Sequence, residues 1–428
     1  MSDPSRVPVT SQVREHALSL GPEDLPAYLY DLDALRDHMA SVRSALPRGV
    51  EVYYAAKANP EPAVLTALAP FVDGFEVASG GELAHVAEAV TDRPLAFGGP
   101  GKTPAEVTAG LERGVHRFHV ESAYELRMLG HLASRVRRPS GGAAAPVGVL
   151  LRFNLPVAGR ALDSGSLTMG GRPTPFGLDP SEADEVVRLL TDGTFPHLEW
   201  QGVHAHLVSG LDAPGLLEVA ASVVSWAAAL GRRHGREIRE VDIGGGMTVD
   251  YARPGARFDW VAYGTGLAEL AARYPGLTLR IEPGRALTAY CGWYATEVLD
   301  VKRSHGEDFA IVRGGTHHLR TPATKGHDQP CAVLPVEPWP HPWPRPPAVR
   351  ERVTLAGQLC TPKDVLARGV PAAGLRAGDR VLFALAGAYA WNISHHDFLM
   401  HPRPGFHFLG ATGTPPQASP GPAPSERP

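Results

Sequence analysis

One alternation, repeated eight times, constrains this chain more than any other feature. Short β-prone runs fall at 51–54, 74–77, 94–97, 117–120, 147–153, 200–206, 241–243 and 277–282. Between most of them lie Ala-, Leu-, Glu- and Arg-rich stretches such as 62–69, 81–90, 104–113, 123–135 and 180–190. A strand followed by a helical crossover pairs in parallel with the next strand, and eight such units close into a barrel. The fold class expected is therefore α/β, a (β/α)8 TIM-type barrel over 32–281. After 282 the rhythm changes: Gly and Pro become frequent, and strand-like pieces stand at 293–301, 309–312, 352–355 and 380–384. These predict a second, β-rich domain, sandwich- or barrel-like, built from 282–410 together with 1–31, whose strand-like piece is 28–31. The stretch 335–347, dense in Pro and Trp, reads as an irregular loop. The tail 411–428 is Pro-, Ser- and Gly-rich without apolar periodicity and is expected to be disordered.

Composition narrows the function classes. Lys and Arg total 41 against 45 Asp and Glu, a net charge of −4. No basic excess points to nucleic acid. No uninterrupted apolar run approaches the roughly 18 residues of a spanning helix, and the first fifteen residues lack a signal-peptide core. The expectation is a cytoplasmic protein with no membrane partner. The three cysteines, Cys291, Cys331 and Cys360, are far apart and form no C-x-x-C pair. Neither a disulfide framework nor a structural zinc site is expected, and each Cys alone reads most simply as a buried filler.

Chemistry in such a barrel gathers at the C-terminal ends of its strands. Lys57 follows the first run, Glu76 lies in the second, Arg152 in the fifth, and His206 closes the sixth. Gly244, Gly245 and Gly246 follow the seventh, and Glu282 closes the eighth. A lysine after a strand is ordinarily a solvated strand end. On a desolvated rim, a neutral amine would condense with an aldehyde. Three successive glycines bring backbone N–H groups close to a phosphate, although a turn would use them equally well. Glu282-Pro283-Gly284-Arg285 offers a second such loop, preceded by an acid whose ordinary reading is a surface ion pair. His204 and His206 lie on one face of a strand. They could hold a metal with a third ligand, but no partner appears at motif spacing, so no metal is expected. A ring-stacking imidazole is the other use.

Taken in order, these motifs resemble the fold-type III PLP (pyridoxal 5′-phosphate) decarboxylases, the group of diaminopimelate, ornithine and arginine decarboxylases. The resemblance runs from about residue 28 to 404. Tyr54-Ala55-Ala56-Lys57-Ala58-Asn59 resembles the Schiff-base lysine motif, and Glu76-Val77-Ala78-Ser79-Gly80-Gly81-Glu82 the second-strand motif. His204-Ala205-His206-Leu207-Val208-Ser209 is similar to the stretch in which the second His stacks on the cofactor ring and the Ser holds phosphate. The phosphate loop, the Glu-Pro-Gly-Arg motif, the Cys360-to-Asp364 spacing and Gly387-Ala388-Tyr389 complete the set. The resemblance implies PLP on Lys57, Glu282 at the pyridine nitrogen, and phosphate held by Ser209, Gly244, Gly245, Gly246, Gly284, Arg285 and Tyr389. It also implies a homodimer in which Cys360, as proton donor to Cα, and Asp364 reach the partner's site. That reverses the filler reading of Cys360.

Two departures bear on the substrate. Val208 replaces the usual Gly. Thr361 stands where diaminopimelate and ornithine decarboxylases carry an acid after the Cys, which weakens a basic amino-acid substrate. Arg313, His317, His318, Arg320 and Lys325 cluster in one stretch. Such a run is usually a solvated loop, but with Arg152 it could bind a carboxylate-rich substrate. The segments 313–320 and 391–399 resemble the siderophore-biosynthesis branch, whose members decarboxylate amino acids conjugated to citrate or a related acid. The expected reaction is PLP-dependent decarboxylation of a citryl-diaminopropionate-like precursor. The alternatives are a diaminopimelate or other basic amino-acid decarboxylase, and a non-catalytic regulatory relative. Alanine racemase shares the layout but puts no acid at the pyridine nitrogen.

Overall fold

A computed structural model describes residues 7–136, 146–157 and 167–410. The chain divides into two compact units, one of residues 38–248 and 258–286, the other of 1–37, 249–257 and 287–428. The barrel unit thus begins at 38 and ends at 286, where the sequence suggested 32 and 281. The loop after the eighth strand, with Arg285, stays with the barrel, and 249–257 groups with the second unit. The tail 411–428 lies outside the described residues.

The barrel strands, in chain order, are β1 (Val50–Ala55), β2 (Gly74–Val77), β3 (Leu95–Phe97) and β4 (Arg117–Val120). They continue with β5 (Val147–Arg152), β6 (Leu198–His204), β7 (Glu240–Asp242) and β8 (Thr278–Ile281). Each pairs in parallel with the next, and β8 returns to β1, closing the barrel. The strands are buried along almost their whole length, as expected for a sheet covered by helices on one face and filled by its own side chains on the other. The crossover helices start on side-chain caps: Ser79, Thr103, Ser122 and Asp212 each accept from a backbone N–H two or three residues into the helix. Helix Ala213–Arg233, between β6 and β7, has a mean hydropathy of 1.5 over 18 residues. By length and composition it would cross a membrane. Here Val219, Val223, Ala227 and Leu230 are among its buried residues.

Beneath the functional end, β8 places Arg280 wholly inside the barrel. Its guanidinium donates to Glu51 at 2.6 Å and to Glu240 at 3.1 Å and lies 4.3 Å from the Tyr53 ring centroid. Arg117 pairs with Glu240 from the next side. A guanidinium is the charge best suited to such burial, because it satisfies several acceptors at once.

In the second unit, one sheet has the order Cys331–Leu334, Arg380–Phe383, Gly292–Ser304, Glu307–Val312, Arg352–Ala356, Val365–Pro371. Ala27–Asp31 pairs antiparallel with Gly292–Ser304 and parallel with Gly405–Leu409. The strands Cys331–Leu334, Val365–Pro371 and Gly405–Leu409 were not expected. None of them alternates in burial, and the last is half-buried throughout, so the pattern that marks a strand is missing. The helix Ser11–Ser19 was also not expected. It buries only Val13 and Ala17 and packs onto Leu29, Trp293 and Leu382.

Candidate active site

Lys57 sits on a single helical turn, Ala56–Ala58, directly after β1. Its Nζ lies 2.5 Å from Glu76 Oε2 on β2. The expectation of a desolvated rim lysine needs correction: the side chain is 43% exposed, and an ion pair surrounds its charge. On β5, Arg152 donates to Glu121 Oε1 at 2.7 Å and lies over the Phe176 ring. Glu121 also accepts from Gly177 N, so this acid, which sequence reasoning passed over, aims the guanidinium.

Strand β6 ends at His204, and His206 lies two residues beyond it. The two imidazoles therefore do not share one task. His206 Nδ1 accepts from Gly245 N at 3.0 Å, and its Nε2 stands 3.5 Å from Ser209 Oγ. An accepting Nδ1 requires a neutral ring. Loss of water around it, with Arg152 and Lys57 nearby, holds the imidazole down at about 3. Gly244 N donates to Asp242 Oδ1, and Glu282 N donates to the Gly244 carbonyl. A Cβ on Gly245 would land on the Glu282 carbonyl, and one on Gly246 on the Val208 carbonyl, where φ is also +101°. Bare backbone here forms a concave cradle of the kind that accepts phosphate oxygens. Gly284 and Arg285 follow Glu282 on the same side, with Arg285 opening the four-residue helix Arg285–Thr288.

His204 joins a different cluster. Its Nε2 lies 3.2 Å from Glu282 Oε2, and its ring stacks on His119 at 4.3 Å. His119, His204 and Glu282 are buried, with one donor atom of each within 4.8 Å of the others. The partner that motif spacing did not offer the His204–His206 pair is thus Glu282, and it meets His204 alone. Burial, reinforced by Asp242 and Glu76, pushes the Glu282 carboxyl well above the usual carboxylate range. Burial also raises Asp242, to about 6, against the pull of Arg280. Glu282 Oε1 is buried without a hydrogen-bond partner. A buried acid holding a proton, with an oxygen left over, is suited to a basic ring nitrogen. The glycine cradle and this orphan oxygen together fit PLP, and Lys57 is a partly exposed primary amine of the kind that an aldehyde needs.

Sequence reasoning missed His119. The signal was there: a polar side chain on a buried strand, as at Arg152.

The pattern of the pyridoxal-dependent decarboxylases, in its pyridoxal binding domain, matches residues 32–289. The chain belongs to that family. This PLP-dependent decarboxylase is 38% identical over 388 residues to the 2-[(L-alanin-3-ylcarbamoyl)methyl]-2-hydroxybutanedioate decarboxylase of Staphylococcus aureus. The match covers 90% of this chain and 94% of that one. The decarboxylase is also 30% identical to the L-glutamyl-[BtrI acyl-carrier protein] decarboxylase of Niallia circulans, over 89% of this chain and 88% of that one. In fold it is similar to the crystal structure of Helicobacter pylori diaminopimelate decarboxylase complexed with L-lysine. There the TM-score is 0.78 at 24% identity, over 92% of this chain and 93% of that one. It is a carboxy-lyase acting on a small molecule.

In the second unit, the residues singled out from the sequence are mostly held by their own neighbours. Arg313 pairs with Glu297, which also takes Arg380 at 2.9 Å. The reading of 313–320 as a solvated loop is overturned for His317 and His318, which are 0% and 1% exposed. Their rings lie 3.9 Å apart, and His318 Nδ1 meets Tyr294 Oη at 2.9 Å. Burial, with the neighbouring histidines, lowers His317 to about 4 and His318 to about 2. Arg320 is exposed and reaches the Ile393 carbonyl. The Lys325 side chain lies outside the described residues. Asp364 accepts from Thr316 N and Oγ1 and from Leu359 N, tying two loops together. Cys360 is exposed, Cys291 is buried, and all three cysteines are free. Tyr389 has a φ of +48°, and its carbonyl accepts from Thr321.

Proposed function

We propose that this decarboxylase removes CO2 from the α-amino-acid end of a conjugate whose other end carries two or more carboxylates, a citryl-diaminopropionate-like compound of siderophore biosynthesis. The observation that carries the reading is the likeness to the S. aureus enzyme. The name of that enzyme describes an alanin-3-yl group joined through an amide to a hydroxybutanedioate. Thr361, in place of an acid after Cys360, supports it by leaving no obvious partner for a distal ammonium. Among the residues of the stretch 313–320, Arg320 is exposed and is the candidate for holding a carboxylate, since Arg313 is taken by Glu297 and His317 and His318 are buried.

When bound, PLP supplies an electron sink for the pair left on Cα as CO2 departs. The residues do the rest. Lys57 would hold the cofactor through its amine, and Glu76 would keep that amine in place. His206 would cover the ring face. The cradle of Gly244, Gly245 and Gly246, with Ser209, Gly284 and Arg285, would take the phosphate. Glu282 would hold a proton for the ring nitrogen. Cys360 returns a proton to Cα. Cys360, which is exposed, acts from the neighbouring protomer of a homodimer, whereas Asp364 is buried and holds the loops beside it, and the enzyme works in the cytoplasm.

The test is CO2 release from the citryl conjugate of 2,3-diaminopropionate set against meso-diaminopimelate. The reading expects the conjugate to have the higher kcat/KM. A preference for diaminopimelate of roughly tenfold or more would retire it. Purified protein with added PLP that shows no covalent cofactor absorbance would retire the catalytic reading altogether.

A further inference from the structure

His119 has no assigned task, yet it occupies an unusual position. Its ring is wholly buried, and neither nitrogen has a hydrogen-bond partner among the described residues. Facing it are two acid oxygens in the same condition. Nδ1 lies 3.7 Å from Glu282 Oε1, and Nε2 lies 3.9 Å from Asp242 Oδ2. Orphaned buried donors and acceptors are costly, and these four atoms are matched in two pairs just beyond hydrogen-bond range.

The ring is held where it is. It stacks on His204 at 4.3 Å with 15° between planes, and its carbonyl accepts from Lys102 Nζ. Gly98 leaves the space between it and Glu76, because a Cβ there would lie 3.0 Å from Glu76 Oε1 and 3.5 Å from His119 Nδ1. Burial, and the cations Arg280 and Lys102, keep the imidazole neutral. A neutral ring carries one N–H. An ionised Glu282 draws that N–H to Nδ1, which faces Oε1 at 3.7 Å. His204 Nε2 already lies at the other Glu282 oxygen.

We infer that His119 is a positioning residue, whose Nδ1–H closes onto Glu282 Oε1 once that carboxyl is ionised and so sets the site's preference for a ring that carries a nitrogen. This rests on the reading in which Glu282 faces the pyridine nitrogen. A Glu282 that has given up its proton sits near Asp242 and Glu76, which repel it. Two N–H donors on its two oxygens offset that cost.

The experiment measures equilibrium binding of PLP and of its 1-deaza analogue, with CH in place of the ring nitrogen, to cofactor-free protein by absorbance titration. The proteins are wild type, His119→Leu, His119→Asn and His119→Gln. An Asn amide nitrogen reaches the place of Nδ1, whereas a Gln amide reaches that of Nε2. Wild type is expected to prefer PLP by about tenfold or more, the scale of a charge-assisted hydrogen bond. His119→Leu and His119→Gln should lose most of that ratio while binding the deaza analogue like wild type, and His119→Asn should keep it. If Leu does not fold, the Asn and Gln variants decide alone. A ratio unchanged within about twofold in Leu or Gln, or lost equally in Asn, overturns the role of His119. No preference in wild type itself overturns the Glu282 reading and this inference with it.

Discussion

Lys57 Nζ and Glu76 Oε2 meet at 2.5 Å, joining the turn after β1 to the middle of β2. The carboxylate is 5% exposed and the lysine 43%, so the acid anchors and the amine is presented. Lys57→Ala should remove the covalent cofactor absorbance and CO2 release together. Glu76→Gln should keep the absorbance but lower kcat by about tenfold or more, since the amine loses both its aim and its charge partner. Spectra and steady-state rates on the same preparations check both.

Gly245 tolerates no side chain. A Cβ would strike the Glu282 carbonyl, and crowding of this kind costs roughly 1–3 kcal/mol. Gly245→Ala should raise the PLP dissociation constant by about tenfold, since 1.4 kcal/mol is one decade. Titration of cofactor-free protein reads the effect, and an unchanged constant would remove the cradle from the phosphate site.

Arg280 is a fold residue. Replacing it with Met leaves Glu240 buried with Arg117 alone and Glu51 without its guanidinium. Breaking a buried pair from one side typically costs about 3–5 kcal/mol. Glu51 is partly exposed, which favours the lower end, about 3 kcal/mol. Urea unfolding of Arg280→Met against wild type measures it.

His318 makes a pH prediction. Its folded value is about 2, against 6.5 when unfolded, so the native state buries it neutral. A group lowered in this way contributes stability that is fully present above 6.5 and is lost as pH falls from 6.5 toward 2. Between pH 6 and 4, the wild-type unfolding free energy should fall more steeply than that of His318→Leu. The difference should approach one proton, about 1.4 kcal/mol per pH unit. Equal slopes would mean that the imidazole is not buried neutral.

Much of this protein is legible in local chemistry. The β-run and helix alternation announces the barrel because a parallel strand needs a crossover. Lys57, the glycines after β7 and the Glu-Pro-Gly-Arg turn are legible because the handling of an aldehyde and a phosphate is local: one amine after a strand, one bare turn. His206 was placed correctly at the rim but wrongly within its strand, since strand ends depend on neighbours.

The sequence by itself determined the order of the barrel strands, the positions of the polar strand ends and the residue types available for PLP. Only the tertiary structure decided their pairings. His119 and Glu282 are 163 positions apart, and they meet because closing the barrel brings β4 across from the end of β8. His317 and His318 look solvated by composition and are buried, with Tyr294, Trp391 and His401 against their rings. Burial and through-space charge depend on which surfaces face each other after folding, and spacing along the chain carries no record of that.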